Sequence, residues 1–153
     1  MSSERVIELP DVAATHRLAA ELAAALRPGD VLALVGDLGA GKTELVRGLV
    51  AALGAPADTP VCSPSFVLLN LYPGGRLPVA HYDACFMDGT DDLERAGLQD
   101  LLRQGWVAAI EWADRVAGAL PADTRWVTLE SAGQDPGRRR ARLGAAPPVV
   151  DAP

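Results

Sequence analysis

The stretch Val31-Leu32-Ala33-Leu34-Val35-Gly36-Asp37-Leu38-Gly39-Ala40-Gly41-Lys42-Thr43 decides how this chain folds. Its first five residues form an unbroken apolar run, which suits a strand buried on both faces of a sheet. Gly36, Gly39 and Gly41 then permit backbone angles that other residues resist. From Lys42 onward the spacing of Leu45, Val46, Leu49, Val50 and Leu53 is helical, with Gly54 to close the helix and Pro56 to prevent its continuation. Strand, glycine-rich turn and helix are the setting of a P-loop, in which backbone N–H groups and the positive end of a helix dipole surround phosphates. Leu38, Gly39, Ala40, Gly41, Lys42 and Thr43 are therefore the expected phosphate-binding residues. Lys42 would neutralise charge, and the Thr43 hydroxyl would be offered to Mg²⁺.

Cation usage supports the same reading. Lysine and arginine together number 14, and Lys42 is the single lysine among them. Arginine replaces lysine wherever a generic cation suffices, but a wide planar guanidinium does not fit the slot between β- and γ-phosphates.

Outward from the loop, Arg5 to Leu9 reads as a first strand stopped by Pro10, after which Asp11 can cap a helix running to about Leu26. Phe66 to Tyr72 and Leu77 to Asp83 are strand-like runs separated by Pro73-Gly74-Gly75-Arg76, which predicts a hairpin. Asp88 to Arg103 predicts one or two short helices around Gly97. Val107 to Glu111 is a second apolar strand ending in an acid, and Arg115 to Leu120 a short helix before Pro121. Thr124 to Ser131 and Arg138 to Ala145 read as closing strands around a glycine-proline turn. Together these elements predict a single α/β domain over residues 1–145, followed by a disordered tail, 146–153.

Magnesium at a P-loop needs a carboxylate near the carboxyl ends of neighbouring strands. Asp83 and Glu111 both qualify. Glu111 could hold the metal or its water, while Asp83 could orient an attacking water or complete the outer shell; the sequence leaves this division of roles open. His81 reads as a satisfied structural group more readily than as a catalyst, although histidine is the residue type most used for proton transfer near neutral pH.

Composition narrows the class. The chain has 153 residues, 49% hydrophobic and 22% charged, as expected of one globular domain with one core. It lacks an apolar run long enough to span a membrane, and its N-terminus has no leader pattern, so a soluble, unprocessed cytoplasmic protein is expected. Cys62 and Cys85 make neither a disulfide framework nor a zinc site and read as reduced, buried small hydrophobes. A net charge of −6 argues against a broad nucleic-acid-binding surface. The one local candidate, Arg138-Arg139-Arg140 with Arg142, reads as the solvated face of a late strand.

Four segments in order, Gly36 to Thr43, Ser63-Pro64-Ser65-Phe66, His81-Tyr82-Asp83 and Ile110-Glu111-Trp112, resemble the TsaE (YjeE) family of bacterial ATPases needed for threonylcarbamoyladenosine in tRNA. The likeness runs from about Leu9 to Leu143. It implies a three-layer P-loop NTPase domain whose mixed, mainly parallel central sheet carries an antiparallel hairpin. It implies ATP hydrolysis with Lys42, Asp83 and Glu111 as the catalytic set and Mg²⁺ held by Thr43 and Glu111. Ser63 to Phe66 would be a switch segment sensing the γ-phosphate, with Ser65 among the nucleotide-binding residues where the family commonly has threonine, and Trp112 would lie near the nucleotide. The implied partners are TsaD and TsaB homologues, with tRNA reached only through that complex. Hydrolysis would reset the complex between rounds, while TsaD and the separate enzyme TsaC do the carbamoyl chemistry.

The chain also departs from the family pattern. Where the family continues after His81-Tyr82-Asp83 with an aliphatic residue, a tyrosine and an arginine, this chain has Ala84, Cys85 and Phe86. It does without that cation or uses another, with Arg95 the candidate. A P-loop small-molecule kinase is the competing reading, for which the acid-led segment Asp88 to Arg103 makes a poor lid. A nucleotide-binding adaptor without turnover is a third.

Overall fold

The computed structural model describes residues 4–37, 39–64 and 68–144. Leu38, Ser65 and the expected tail, 146–153, lie outside the described residues. One sheet of seven strands organises the rest, in the order β1-β7-β6-β2-β5-β4-β3. The strands are β1 (Arg5–Leu9), β2 (Val31–Val35), β3 (Leu69–Tyr72), β4 (Val79–Asp83), β5 (Val107–Glu111), β6 (Arg125–Ser131) and β7 (Arg139–Gly144). The centre, β6-β2-β5-β4, is parallel, and antiparallel pairs β3-β4, β6-β7 and β1-β7 complete the edges. The sheet is thus mixed and mainly parallel at its heart, as expected, with two hairpins.

The unbroken apolar run of β2 is explained by its place between two parallel neighbours and two cores. Leu32 and Leu34 enter one core, beneath α1 (Val12–Ala25) and α2 (Lys42–Ala52). Val31 and Ala33 enter the other, beneath α3 (Thr90–Arg95), α4 (Leu98–Arg103) and 3₁₀ turns over Ala113–Ala119. Helices on both faces give the three layers. The carboxylate of Asp11 caps α1 by accepting from the Ala14 N–H at 2.8 Å, satisfying one of the four donors a helix start leaves open. Tyr82 anchors α3 to the sheet through a hydrogen bond from its hydroxyl to the Ala96 carbonyl at 3.0 Å, and burial pushes its pKa up to about 12.

Several boundaries differ from expectation. β3 starts at Leu69, because Leu68 adopts a left-handed φ of 69° that a strand cannot continue; Phe66 and Val67 lie outside the described residues. The helix expected from Arg115 begins earlier, at Ala113, and is 3₁₀ rather than α, interrupted at Val116 where φ is −125°. The cysteines are free thiols, but Cys62 is exposed and Cys85 half-buried, since neither sits on a strand or helix facing a core. Among the described residues no helix is long and apolar enough to cross a membrane.

Candidate nucleotide-binding site

Gly39 and Gly41 turn the loop after β2 at φ of 81° and 102°, in the left-handed region, and Gly41 delivers the chain into α2. The helix therefore begins directly above the carboxyl end of the central strand, with its open N–H groups facing the cleft. Lys42, only 5% exposed, sits in its first turn. Its ammonium donates to the carbonyl oxygens of Gly36 and Asp37, the latter at 3.1 Å, and lies 4.1 Å from the centre of the Trp112 ring. Burial lowers the Lys42 pKa below the ordinary lysine value, against the opposing pull of Glu111, Asp37, Asp83 and Asp114. This ammonium is held by weak neutral acceptors and an aromatic face, so a phosphate arriving at the loop would offer it a stronger partner.

The two acids left open by the sequence occupy different settings. Asp83 and Glu111 are side-by-side partners in the parallel β4-β5 pair, each 3% exposed. Glu111 turns towards α2, where the Thr43 hydroxyl donates to its two oxygens at 3.3 and 3.2 Å. Asp83 has other partners, accepting from the Cys85 N–H at 2.8 Å and from the Ser63 hydroxyl at 3.3 Å. Two buried carboxylates against one buried ammonium leave an excess of negative charge that a divalent cation would offset. The donors are hard oxygens, and among the described residues no group of three or more His, Cys, Asp or Glu forms a metal cage. A sparse oxygen set of this kind fits Mg²⁺, which keeps waters and takes phosphate oxygens from its nucleotide.

These groups line a cavity of about 740 Å³ together with Glu44, Cys85, Phe86 and Trp112. Trp112 follows Glu111 in a left-handed conformation, φ 58°, a strained arrangement for a bulky residue that ends β5 at once. Phe86 stands at the rim, 74% exposed. Arg95, the suggested replacement for the family's arginine, does not line this cavity; it sits on α3, paired with Asp92 at 3.6 Å. A smaller cleft of about 390 Å³ opens at the start of β6, but its charged groups are already engaged. There Arg5 pairs with Glu21 at 2.7 Å and Arg125 donates to the Ala25 carbonyl at 3.2 Å.

The arginine cluster of β7 divides in two. Arg140 pairs with Glu8 at 2.7 Å, and Arg142 with Glu130 and Glu4, both at 3.0 Å, so these cations tie the edge strands together. Arg139 instead reaches the loop itself, donating to the Gly39 carbonyl at 2.9 Å. No local sequence signal marks that contact, because it joins residues 100 apart. Tyr72, whose hydroxyl lies 3.4 Å from Nδ1 of His81, is likewise invisible to motif reading.

Comparison with known proteins adds the family. Residues 9–141 match the model described as "Threonylcarbamoyl adenosine biosynthesis protein TsaE". A tRNA threonylcarbamoyladenosine biosynthesis protein TsaE from Bacillus subtilis (strain 168) is 37% identical over 121 residues, covering 79% of this chain and 74% of its own length. A protein of the same name from Streptomyces coelicolor is 36% identical over 123 residues, covering 78% of this chain and 81% of its own length. Among solved structures, that of Bacillus subtilis YdiB superimposes with a TM-score of 0.79 at 29% identity, covering 96% of this chain and 88% of YdiB.

Proposed function

Because this chain belongs to the TsaE family of tRNA threonylcarbamoyladenosine biosynthesis, we propose that it is a Mg²⁺-dependent ATPase acting in that tRNA modification. The observation that carries the reading is the meeting of Lys42, Thr43, Glu111 and Asp83 at the start of α2, each supplied by a different requirement of phosphate chemistry. Backbone N–H groups from Gly39 to Thr43 and the Lys42 ammonium would bind the β- and γ-phosphates. The Thr43 hydroxyl and Glu111 carboxylate would hold the metal, which when bound supplies charge neutralisation between the phosphates. Asp83, kept in place by the Cys85 N–H and the Ser63 hydroxyl, would orient the attacking water. Ser63 belongs to the segment that continues into Ser65, so a change at the γ-phosphate would reach this segment through Asp83.

The partners in this reading are TsaD and TsaB homologues, with hydrolysis resetting their complex between rounds and tRNA met only through it. The ion-paired arginines of β7 support an indirect role at tRNA, since paired cations release few counterions on meeting phosphate. A kinase reading gains nothing from the structure. The segment Asp88 to Arg103, a poor lid on its sequence, holds two short packed helices, α3 and α4, with Leu93 and Leu98 buried. Among the described residues lining the cavity there is no arginine to close on the phosphates.

The test is Glu111→Gln, read by ATP binding and by phosphate release. The expected result is retained ATP binding with turnover reduced by a hundredfold or more, on the order expected for a group acting at the transition state. Hydrolysis at the wild-type rate would show that Glu111 does not hold the metal.

A further inference from the structure

His81 lies on β4, all five residues of which are buried, and is itself 0% exposed. Burying an imidazole is unfavourable unless both ring nitrogens find partners. Here Nε2 lies 2.5 Å from Oε2 of Glu111 and Nδ1 lies 3.4 Å from the Tyr72 hydroxyl. The strand registers account for this line of contacts. Tyr72 pairs with Val79 and His81 with Ala109, so each contact steps two residues along a neighbouring strand, the diagonal relation within reach of long side chains. The diagonal climbs from the edge strand β3 through β4 to the end of β5, and finishes where Glu111 meets Thr43.

We propose that His81 is a positioning residue for the metal-binding carboxylate, its Nε2–H holding Oε2 of Glu111 so that the carboxylate keeps the rotation that faces Thr43 and the metal. The inference rests on the reading of Glu111 as the metal's carboxylate. The terminal torsion of a glutamate is soft, so without a fixed hydrogen bond the two oxygens would sweep a broad arc. A carboxylate only accepts hydrogen bonds, which places an imidazole proton on Nε2, while Nδ1 faces the Tyr72 hydroxyl. Burial raises the Tyr72 pKa, so its hydroxyl remains protonated and able to donate. An aliphatic residue at position 81 would pack the same core and hold nothing at Glu111. Partners of this kind, behind the metal's own ligands, set metal affinity by aiming the ligand.

The experiment compares wild type with His81→Leu, His81→Gln, Tyr72→Phe and Glu111→Gln. Mn²⁺ replaces Mg²⁺, and its uptake with a non-hydrolysable ATP analogue is followed by electron paramagnetic resonance. Binding of the same analogue in EDTA and the thermal midpoint are recorded in parallel. His81→Leu is expected to raise the Mn²⁺ concentration for half-saturation by about 10–100-fold, the usual range for losing such a partner. Analogue binding in EDTA should stay within about twofold. His81→Gln, whose amide can donate near the position of Nε2, should recover to within a few-fold of wild type, and Tyr72→Phe should weaken Mn²⁺ uptake less than His81→Leu does. If His81→Leu fails to fold, His81→Asn, whose shorter amide cannot reach Glu111, takes its place with the same expectation.

Unchanged Mn²⁺ uptake in the folded His81 variant overturns the inference. So does an equal loss of analogue binding with and without metal, which would mark a purely structural group. If Glu111→Gln weakens Mn²⁺ uptake while the His81 variant does not, this inference alone fails. If Glu111→Gln has no effect either, the metal-carboxylate reading falls with it.

Discussion

Lys42 carries opposed demands within one side chain. Without an anion its ammonium is almost fully buried and held by two loop carbonyls and the face of Trp112, and burial lowers its pKa against the pull of four surrounding acids. A group required for binding but costly in the empty protein is a common place to find function set against stability. Lys42→Met should therefore stabilise the nucleotide-free protein, by about 1 kcal/mol or ~3 °C for a chain of this size. The sign of the pH dependence follows from the lowered value. Between the folded pKa and 10.5 the unfolded chain binds more protons, so wild-type stability rises with pH there and the advantage of Lys42→Met shrinks. Chemical denaturation at neutral pH and near pH 10 measures both, and a Lys42→Met protein less stable than wild type at neutral pH would contradict the account.

At the scale of elements, α2 matters because it aims Lys42 and Thr43, and its direction depends on how closely it approaches α1. Gly48 sets that approach: a Cβ there would lie 2.9 Å from Cβ of Ala19 and 3.0 Å from Cδ2 of His16. Gly48→Val must push the helices apart, and overpacking of this kind costs about 1–3 kcal/mol. Because the shift displaces the start of α2, ATP affinity should fall with stability. A Gly48→Val protein with wild-type midpoint and affinity would show that the contact does not steer the helix. The elements most legible in the sequence were those whose burial is symmetric or whose ends carry strong stops. β2 and β5 appear as continuous apolar runs because both their faces are covered, and α2 is bracketed by the glycine loop and by Gly54. The 3₁₀ turns after β5 were less legible, since they depend on the left-handed Trp112, a conformation that no residue preference foretells. The exposure of Cys62 was missed for a related reason: composition says what a cysteine prefers, not which segment carries it.

For the whole molecule, strand order decides which distant residues meet. Placing β5 beside β2 and β4 beside β5 brings Asp83, Glu111 and Thr43 to one end of the sheet. Placing β7 beyond β6 brings Arg139 to the loop. Motif spacing made the first grouping an expectation, because the P-loop and the acid-ended strand each have a local signature. The Arg139 contact and the diagonal from Tyr72 through His81 depend on order and register, which no single segment records. The same view bears on turnover. With no arginine among the described residues lining the cavity, the isolated chain should hydrolyse ATP slowly, and partner proteins should speed it by at least about tenfold, and by about 10³-fold or more if they supply an arginine to the phosphates. A fast basal rate indifferent to TsaD and TsaB homologues would contradict this.

Calorimetric titration of ATP into the wild-type protein and into Lys42→Ala, each with and without Mg²⁺, tests the central claim most directly. The account predicts saturable one-to-one binding by the wild type, tighter when Mg²⁺ is present, and loss of that binding in a Lys42→Ala protein that remains folded. Equal binding by the two proteins, or no uptake of ATP by folded wild type under either condition, would contradict a triphosphate site at the start of α2.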